Sequence, residues 1–173
     1  MPRLELLRPD HAPALLEFER DNRSYFATAV PDRGDHYFAH FDVRHRDLLA
    51  EQAAGLHFFH VLVGESGEVV GRVNLVDVAD GAAELGYRIA ERAAGQGLAT
   101  AAVREACRRA ASDYGLTRLR AVTTLDNAAS RAVLARTGFL PGAEIRLDGR
   151  PGLGYTLDLP RPTDGPADGP AGR

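Results

Sequence analysis

Ala83-Glu84-Leu85-Gly86-Tyr87-Arg88-Ile89-Ala90-Glu91-Arg92-Ala93-Ala94-Gly95-Gln96-Gly97-Leu98-Ala99-Thr100 changes its periodicity halfway along. The first eight residues alternate, with Leu85, Tyr87 and Ile89 on one side and Glu84, Gly86 and Arg88 on the other, the pattern of a strand at 83–90. From Leu98 to about Ser112 the apolar positions Ala99, Ala102, Val103, Ala106 and Ala110 recur at helical spacing. Two glycines, Gly95 and Gly97, stand where the strand gives way to the helix.

The same reading extends to both sides of this junction. Residues 57–63 and 69–76 flank Glu65-Ser66-Gly67-Glu68 and predict a β-hairpin. A first strand is expected at 4–7, a first helix at about 11–21, a loop at 22–34, and a further helix at 35–54 with Phe38, Phe41, Leu48 and Leu49 turned inward. Beyond the junction the pattern gives a strand at 119–124, then a helix capped by Asp126 or Asn127 and ended near Gly138. Strands near 139–147 and 153–159 follow, joined by a turn at 148–152. The chain is expected to be one mixed α/β domain over 1–159, with 160–173, where Pro and Gly hold half the positions, as a flexible tail.

Composition narrows the function classes. Of 173 residues, 45% are apolar and 26% charged, as in ordinary globular proteins. No apolar run is long enough for a membrane span, and the N-terminal residues lack a secretory signal, so a cytoplasmic protein with no membrane partner is expected. Cys107 is the only cysteine, which leaves no internal disulfide and no multi-cysteine metal site, and its place among Ala and Arg in a helix marks it for packing. The net charge of −3 with scattered basic residues offers no footprint for nucleic acid. All 21 basic residues are Arg, which removes every mechanism that needs a lysine.

A glycine-rich entry to a helix presents unpaired N–H groups at the positive end of the helix dipole, a good seat for phosphate oxygens. A dinucleotide fold would place a third glycine where Thr100 stands and would use an earlier strand, and a nucleoside-triphosphate loop needs the absent lysine. The pattern Arg92-x-x-Gly95-x-Gly97 resembles the acetyl-CoA loop of the GNAT superfamily of N-acetyltransferases. Glu84-Leu85-Gly86-Tyr87 resembles the strand before that loop, and Asn127-x-x-Ser130 with Gly138-Phe139 resembles the superfamily's later helix. The resemblance is clear over 56–147, and the subfamily most alike is that of ribosomal-protein N-terminal (alanine/serine) acetyltransferases.

The resemblance implies a mostly antiparallel sheet of about seven strands, splayed between the fourth and fifth and flanked by about four helices. It implies acetyl-CoA as cosubstrate, no metal, and a primary amine as acceptor: a protein N-terminus or a small molecule. It places pantetheine along Tyr87, Arg88 and Ile89, the pyrophosphate on Gly95, Gln96, Gly97, Leu98, Ala99 and Thr100 with Arg92 beside them, and the thiol end near Asn127 and Ser130. Glu84 is the candidate general base, and the other reading of it is an exposed carboxylate or an ion pair with Arg72 or Arg88. An α-amine of pKa ~8 is about a tenth neutral at pH 7, so an alkyl ammonium near 10.4 needs such a base more.

Many superfamily members carry a tyrosine acid where this sequence has Leu134. Ser130 is the candidate in its place for hydrogen bonding to the departing thiolate, and its other reading is a helix cap. The rival functions are a non-catalytic acyl-CoA-binding module and transfer of a larger acyl group. The resembling proteins are monomers or dimers, so a homodimer is compatible with the sequence. His36 and His40, spaced as a helical metal pair but without further ligands, read as solvated or core-lining side chains.

Overall fold

The computed structural model describes residues 1–161. The segment expected to be a tail falls mainly on 162–173, outside the described residues. The elements in order are β1 (Arg3–Leu6), a 3-10 turn (Pro9–His11), α1 (Ala12–Asp21), α2 (Arg23–Ala27), α3 (Asp35–Ala39), α4 (Phe41–Ala53), β2 (Phe58–Val63), β3 (Val69–Ala79) and β4 (Ala82–Ile89). A second 3-10 turn (Glu91–Ala93) leads to α5 (Leu98–Ser112), β5 (Arg118–Thr124), α6 (Ala128–Arg136), β6 (Leu140–Leu147) and β7 (Arg150–Asp158).

The seven strands form one sheet in the order β1-β2-β3-β4-β5-β7-β6, antiparallel except for β4 and β5. That parallel pair is joined only through Ala82, Ala83 and Glu84, opposite Arg118, Leu119 and Arg120. Beyond Glu84 the two strands part, which is the expected splay. Val73 lies opposite His60 and Tyr87, and Arg72 opposite Val61 and Arg88, so strand alternation sorts these side chains to two faces. α1 covers the face of Arg72 and Arg88, while the end of α5 covers that of His60, where Tyr114 meets the imidazole.

Six α-helices are present among the described residues where about four were expected. The extra ones are short. α2 forms inside the expected loop, and the expected helix 35–54 is broken at His40, whose φ of −117° and ψ of 30° leave the helical region. Five residues hold too few turns to show a period, so neither α2 nor α3 could stand out in sequence. Phe41 and Leu48 are buried as expected, whereas Phe38 and Leu49 are half-buried. The last turn is tighter than 148–152: Leu147 pairs with Arg150, leaving Asp148 and Gly149, both with positive φ, as a two-residue hairpin loop.

Candidate active site

Three features converge where β4 and β5 part. The first is the entry to α5. Gly95 and Gly97 have φ of +75° and +76°, and a side chain on either would project into open space. The N–H groups of residues 95–100 have no backbone acceptor among the described residues; the first helical bond there is Ala101 N–H to Gly97 O. The entry is therefore a row of free donors with no Cβ in the way, suited to pyrophosphate oxygens.

The second feature is the free edge of β4. The Ala90 N–H donates to Val70 O, so by alternation the Arg88 and Gly86 N–H groups turn toward β3, and those of Tyr87 and Ile89 turn into the gap. The third is the start of α6. Asn127 caps it, its Oδ1 accepting the Ser130 N–H at 3.1 Å. Ser130 Oγ in turn accepts a hydrogen bond from the Tyr87 hydroxyl at 3.2 Å. Burial pushes the Tyr87 phenol above its usual pKa, so it remains protonated and able to donate.

Two cavities meet at this pair. One, of about 640 Å³, is walled by Tyr87, Arg88, Ile89, Gly95, Gly97, Leu98, Ala99 and Thr100 with Asn127 and Ser130. The other, of about 560 Å³, is walled by Glu84 to Arg88, the 121–124 end of β5, Leu134 and the β6–β7 hairpin. They share Thr28, Ala29 and Val30 on one side and Tyr87, Arg88, Asn127 and Ser130 on the other, so the Tyr87 and Ser130 hydroxyls sit at the passage between them. Of the residues expected at the site, Arg92 and Gln96 line neither cavity; Gln96 bends back to donate to the Arg92 carbonyl at 3.4 Å. Leu134, at the position where the resemblance leads one to expect a tyrosine, is 1% exposed.

Glu84 faces the second cavity and has no ion pair among the described residues. Arg72 and Arg88, considered as its partners, are instead held by Glu19 of α1. That carboxylate is 1% exposed and contacts Arg72 at 2.8 Å and both Arg33 and Arg88 at 3.2 Å. Burial alone would raise its pKa, but Arg72, Arg33 and Arg88 outweigh it and keep Glu19 ionised. This cluster was missed in the sequence, although Glu19 lies four residues after Leu15 and so on the buried side of α1. The His36 and His40 rings meet at 4.3 Å, tilted by 44°, with no group of three or more metal-ligating side chains among the described residues. Cys107 is half-buried, and burial pushes its thiol up to about 11, as fits a packing role.

A sheet opened between two parallel strands, with a glycine-entered helix at the opening, is the fold of an acetyltransferase family. The chain belongs to the GNAT acetyltransferase family, whose acetyltransferase (GNAT) domain matches residues 3–140. In structure it is similar to the ribosomal-protein-S5-alanine acetyltransferase of Vibrio fischeri, at 20% identity and a TM-score of 0.86, covering 91% of this chain and 92% of that one. It is also similar to RimJ of Mycobacterium smegmatis, solved with a CoA disulfide, at 25% identity and a TM-score of 0.79, covering 90% and 80%. A third, from Salmonella typhimurium, modifies the N-terminal serine of the 50S ribosomal protein L7/L12; it is 18% identical with a TM-score of 0.78, covering 91% and 94%. A search of curated protein sequences gives no significant match. Among the described residues no helix is long and apolar enough to cross a membrane.

Proposed function

We propose that the chain is an N-acetyltransferase that moves an acetyl group from acetyl-CoA to a primary amine, foremost the α-amine of a protein N-terminus, by direct attack in a ternary complex. The observation that carries this reading is the meeting of the two cavities at Tyr87 and Ser130, with Glu84 on the acceptor side and the free N–H groups of 95–100 on the other. The relatives that acetylate ribosomal-protein N-termini support the acceptor class, and the RimJ complex with a CoA disulfide supports the cosubstrate. That cosubstrate makes the cytoplasm the setting.

In this reading Gly95 to Thr100 hold the pyrophosphate through main-chain N–H groups, and the β4 edge at Tyr87 and Ile89 pairs with the pantetheine amides as an added strand would. Of the N–H groups on that free edge, the one of Tyr87 is nearer Glu84 and Ser130 and stabilises negative charge developing on the thioester oxygen. Glu84 accepts the proton that the amine must lose, directly or through water. As the amine nitrogen bonds to the acetyl carbon, the carbon–sulfur bond breaks and the sulfur leaves as thiolate. Ser130 donates a hydrogen bond to that thiolate, backed by the Tyr87 O–H, and the thiolate takes its proton from water.

The test is release of CoA thiol from acetyl-CoA against N-terminal peptides, amino acids, polyamines and amine antibiotics, with Glu84→Gln alongside. Turnover on peptides that falls ~10²-fold or more in the variant, with acetyl-CoA affinity retained, supports the reading. Binding of acetyl-CoA without turnover on any acceptor overturns it.

A further inference from the structure

The acceptor-side cavity has an uneven charge along its floor. On β4 the side chains facing it are Glu84, Gly86 and Arg88, and opposite them on β3 stand Val76, Asn74 and Arg72. A carboxylate therefore marks one end and a pair of guanidiniums the other. The middle is bare, since a Cβ on Gly86 would meet nothing within 4 Å. Arg33, from the loop after α2, joins the two guanidiniums at the cationic end.

Three guanidiniums there share one carboxylate, Glu19, which leaves two positive charges unmatched beside a cavity. Arg72 is 3% exposed, and among the described residues its buried Nε–H has no acceptor although its terminal nitrogen binds Glu19. Two residues along, the buried Oδ1 of Asn74 likewise has no donor among them. An unmet cationic donor and an unmet acceptor in the same wall call for a ligand offering both an anion and an N–H.

Spacing narrows the ligand. Glu84 and Arg88 are four residues apart on an extended strand, ~13 Å between Cα atoms. An α-amino acid carries its amine and carboxylate too close together to reach both ends, whereas two or three residues of extended peptide span most of that length. A polyamine would set its second ammonium against the guanidiniums. Resting on the reading of this cavity as the acceptor site, we infer that the acceptor is a peptide N-terminus with a carboxylate about two residues beyond its α-amine. The amine lies at Glu84, a backbone N–H at Asn74 and the carboxylate at Arg72, Arg88 and Arg33. The carboxylate belongs either to an acidic side chain or to the C-terminus of a tripeptide.

The experiment compares acetylation of the amidated peptides Ser-Ala-Asp-Ala, Ser-Ala-Asn-Ala and Ser-Ala-Lys-Ala, and of Ser-Ala-Ala as free acid and as amide. The Asp peptide is expected to show a KM about tenfold below the Asn peptide, with the Lys peptide poorest. A like gap between free acid and amide identifies the C-terminal carboxylate as an equal source. Both gaps should collapse in Arg33→Gln, a loop substitution, and in Arg88→Gln. Equal KM values for the Asp and Asn peptides, or a preference that survives in both variants, would overturn the inference. Calorimetric binding of the same peptides to the CoA-loaded protein separates the two readings. Tighter binding of the Asp peptide without turnover upholds the charge reading and removes the reaction, whereas equal binding removes the charge reading.

Discussion

The Tyr87 and Ser130 hydroxyls meet at 3.2 Å across the gap between β4 and α6, and they stand where the two cavities join. A tyrosine on the strand thus supplies a protonated O–H, able to donate a hydrogen bond, in the cavity that Leu134 also lines. The two act as one donor chain, so their removals should not add. Ser130→Ala and Tyr87→Phe are each expected to lower kcat by ~10–100-fold with the KM for acetyl-CoA within about threefold, and the double variant should be no slower than the slower single one. Steady-state kinetics check this, and a double variant whose loss equals the product of the two single losses would separate the pair.

The left-handed backbone at Gly97 gives a prediction with two readouts. Gly97→Ala should cost about 1 kcal/mol of stability because φ is +76°, measured by urea denaturation. Gly97→Trp should in addition abolish acetyl-CoA binding in a calorimetric titration, since its side chain would project into the space before the free N–H groups. Retained binding would refute the pyrophosphate assignment.

His60 sets an acid limit on the fold. Its Nδ1–H donates to Val73 O at 3.0 Å, so Nε2 accepts from the Tyr114 hydroxyl at 2.6 Å, and burial pushes its pKa down to about 4. The unfolded chain takes up a proton near pH 6.5, which the folded chain refuses until about 4. Stability is therefore intact above pH 6.5 and falls across the window from 6.5 to 4, by up to ~3 kcal/mol from this group. Urea midpoints measured across that window should fall less steeply for His60→Gln than for the parent; parallel slopes would assign the loss elsewhere.

Glu19 holds three guanidiniums with one buried carboxylate. Glu19→Gln leaves them facing one another and should destabilise by ~3–5 kcal/mol, the usual cost of removing one partner of a buried pair. Adding Arg72→Met should recover part of that loss. Chemical denaturation of the single and double variants decides it, and a double variant less stable than the single one would contradict the account.

Much of this was legible because local rules govern it. The alternation of Glu84 to Ile89 and the helical spacing after Leu98 fix their elements whatever lies around them. Gly95 and Gly97 could be read because positive φ favours glycine, whereas the last hairpin was placed but its turn was read as 148–152 and not as the two-residue loop Asp148-Gly149. The acidic cluster partner was harder. Glu19 lies on the buried side of α1, but a carboxylate there reads as a surface group until Arg33, Arg72 and Arg88 arrive from a loop and two strands. The Tyr87 to Ser130 hydrogen bond spans the splay itself, a relation between distant segments that no period encodes. The same holds for Glu84, whose suggested arginine partners are engaged elsewhere.

Leu147, Asp148 and Arg150 of the last hairpin line the Glu84 cavity and not the one beside Gly95 and Gly97. In the proposed reading, variation in that hairpin can redraw which acceptor is taken while the walls of the other cavity stay constant, whereas Thr28, Ala29 and Val30 line both cavities. A descendant of this chain could change clients by altering a few surface residues and inherit its chemistry whole. Such a division of labour lets one scaffold diversify without passing through inactive intermediates.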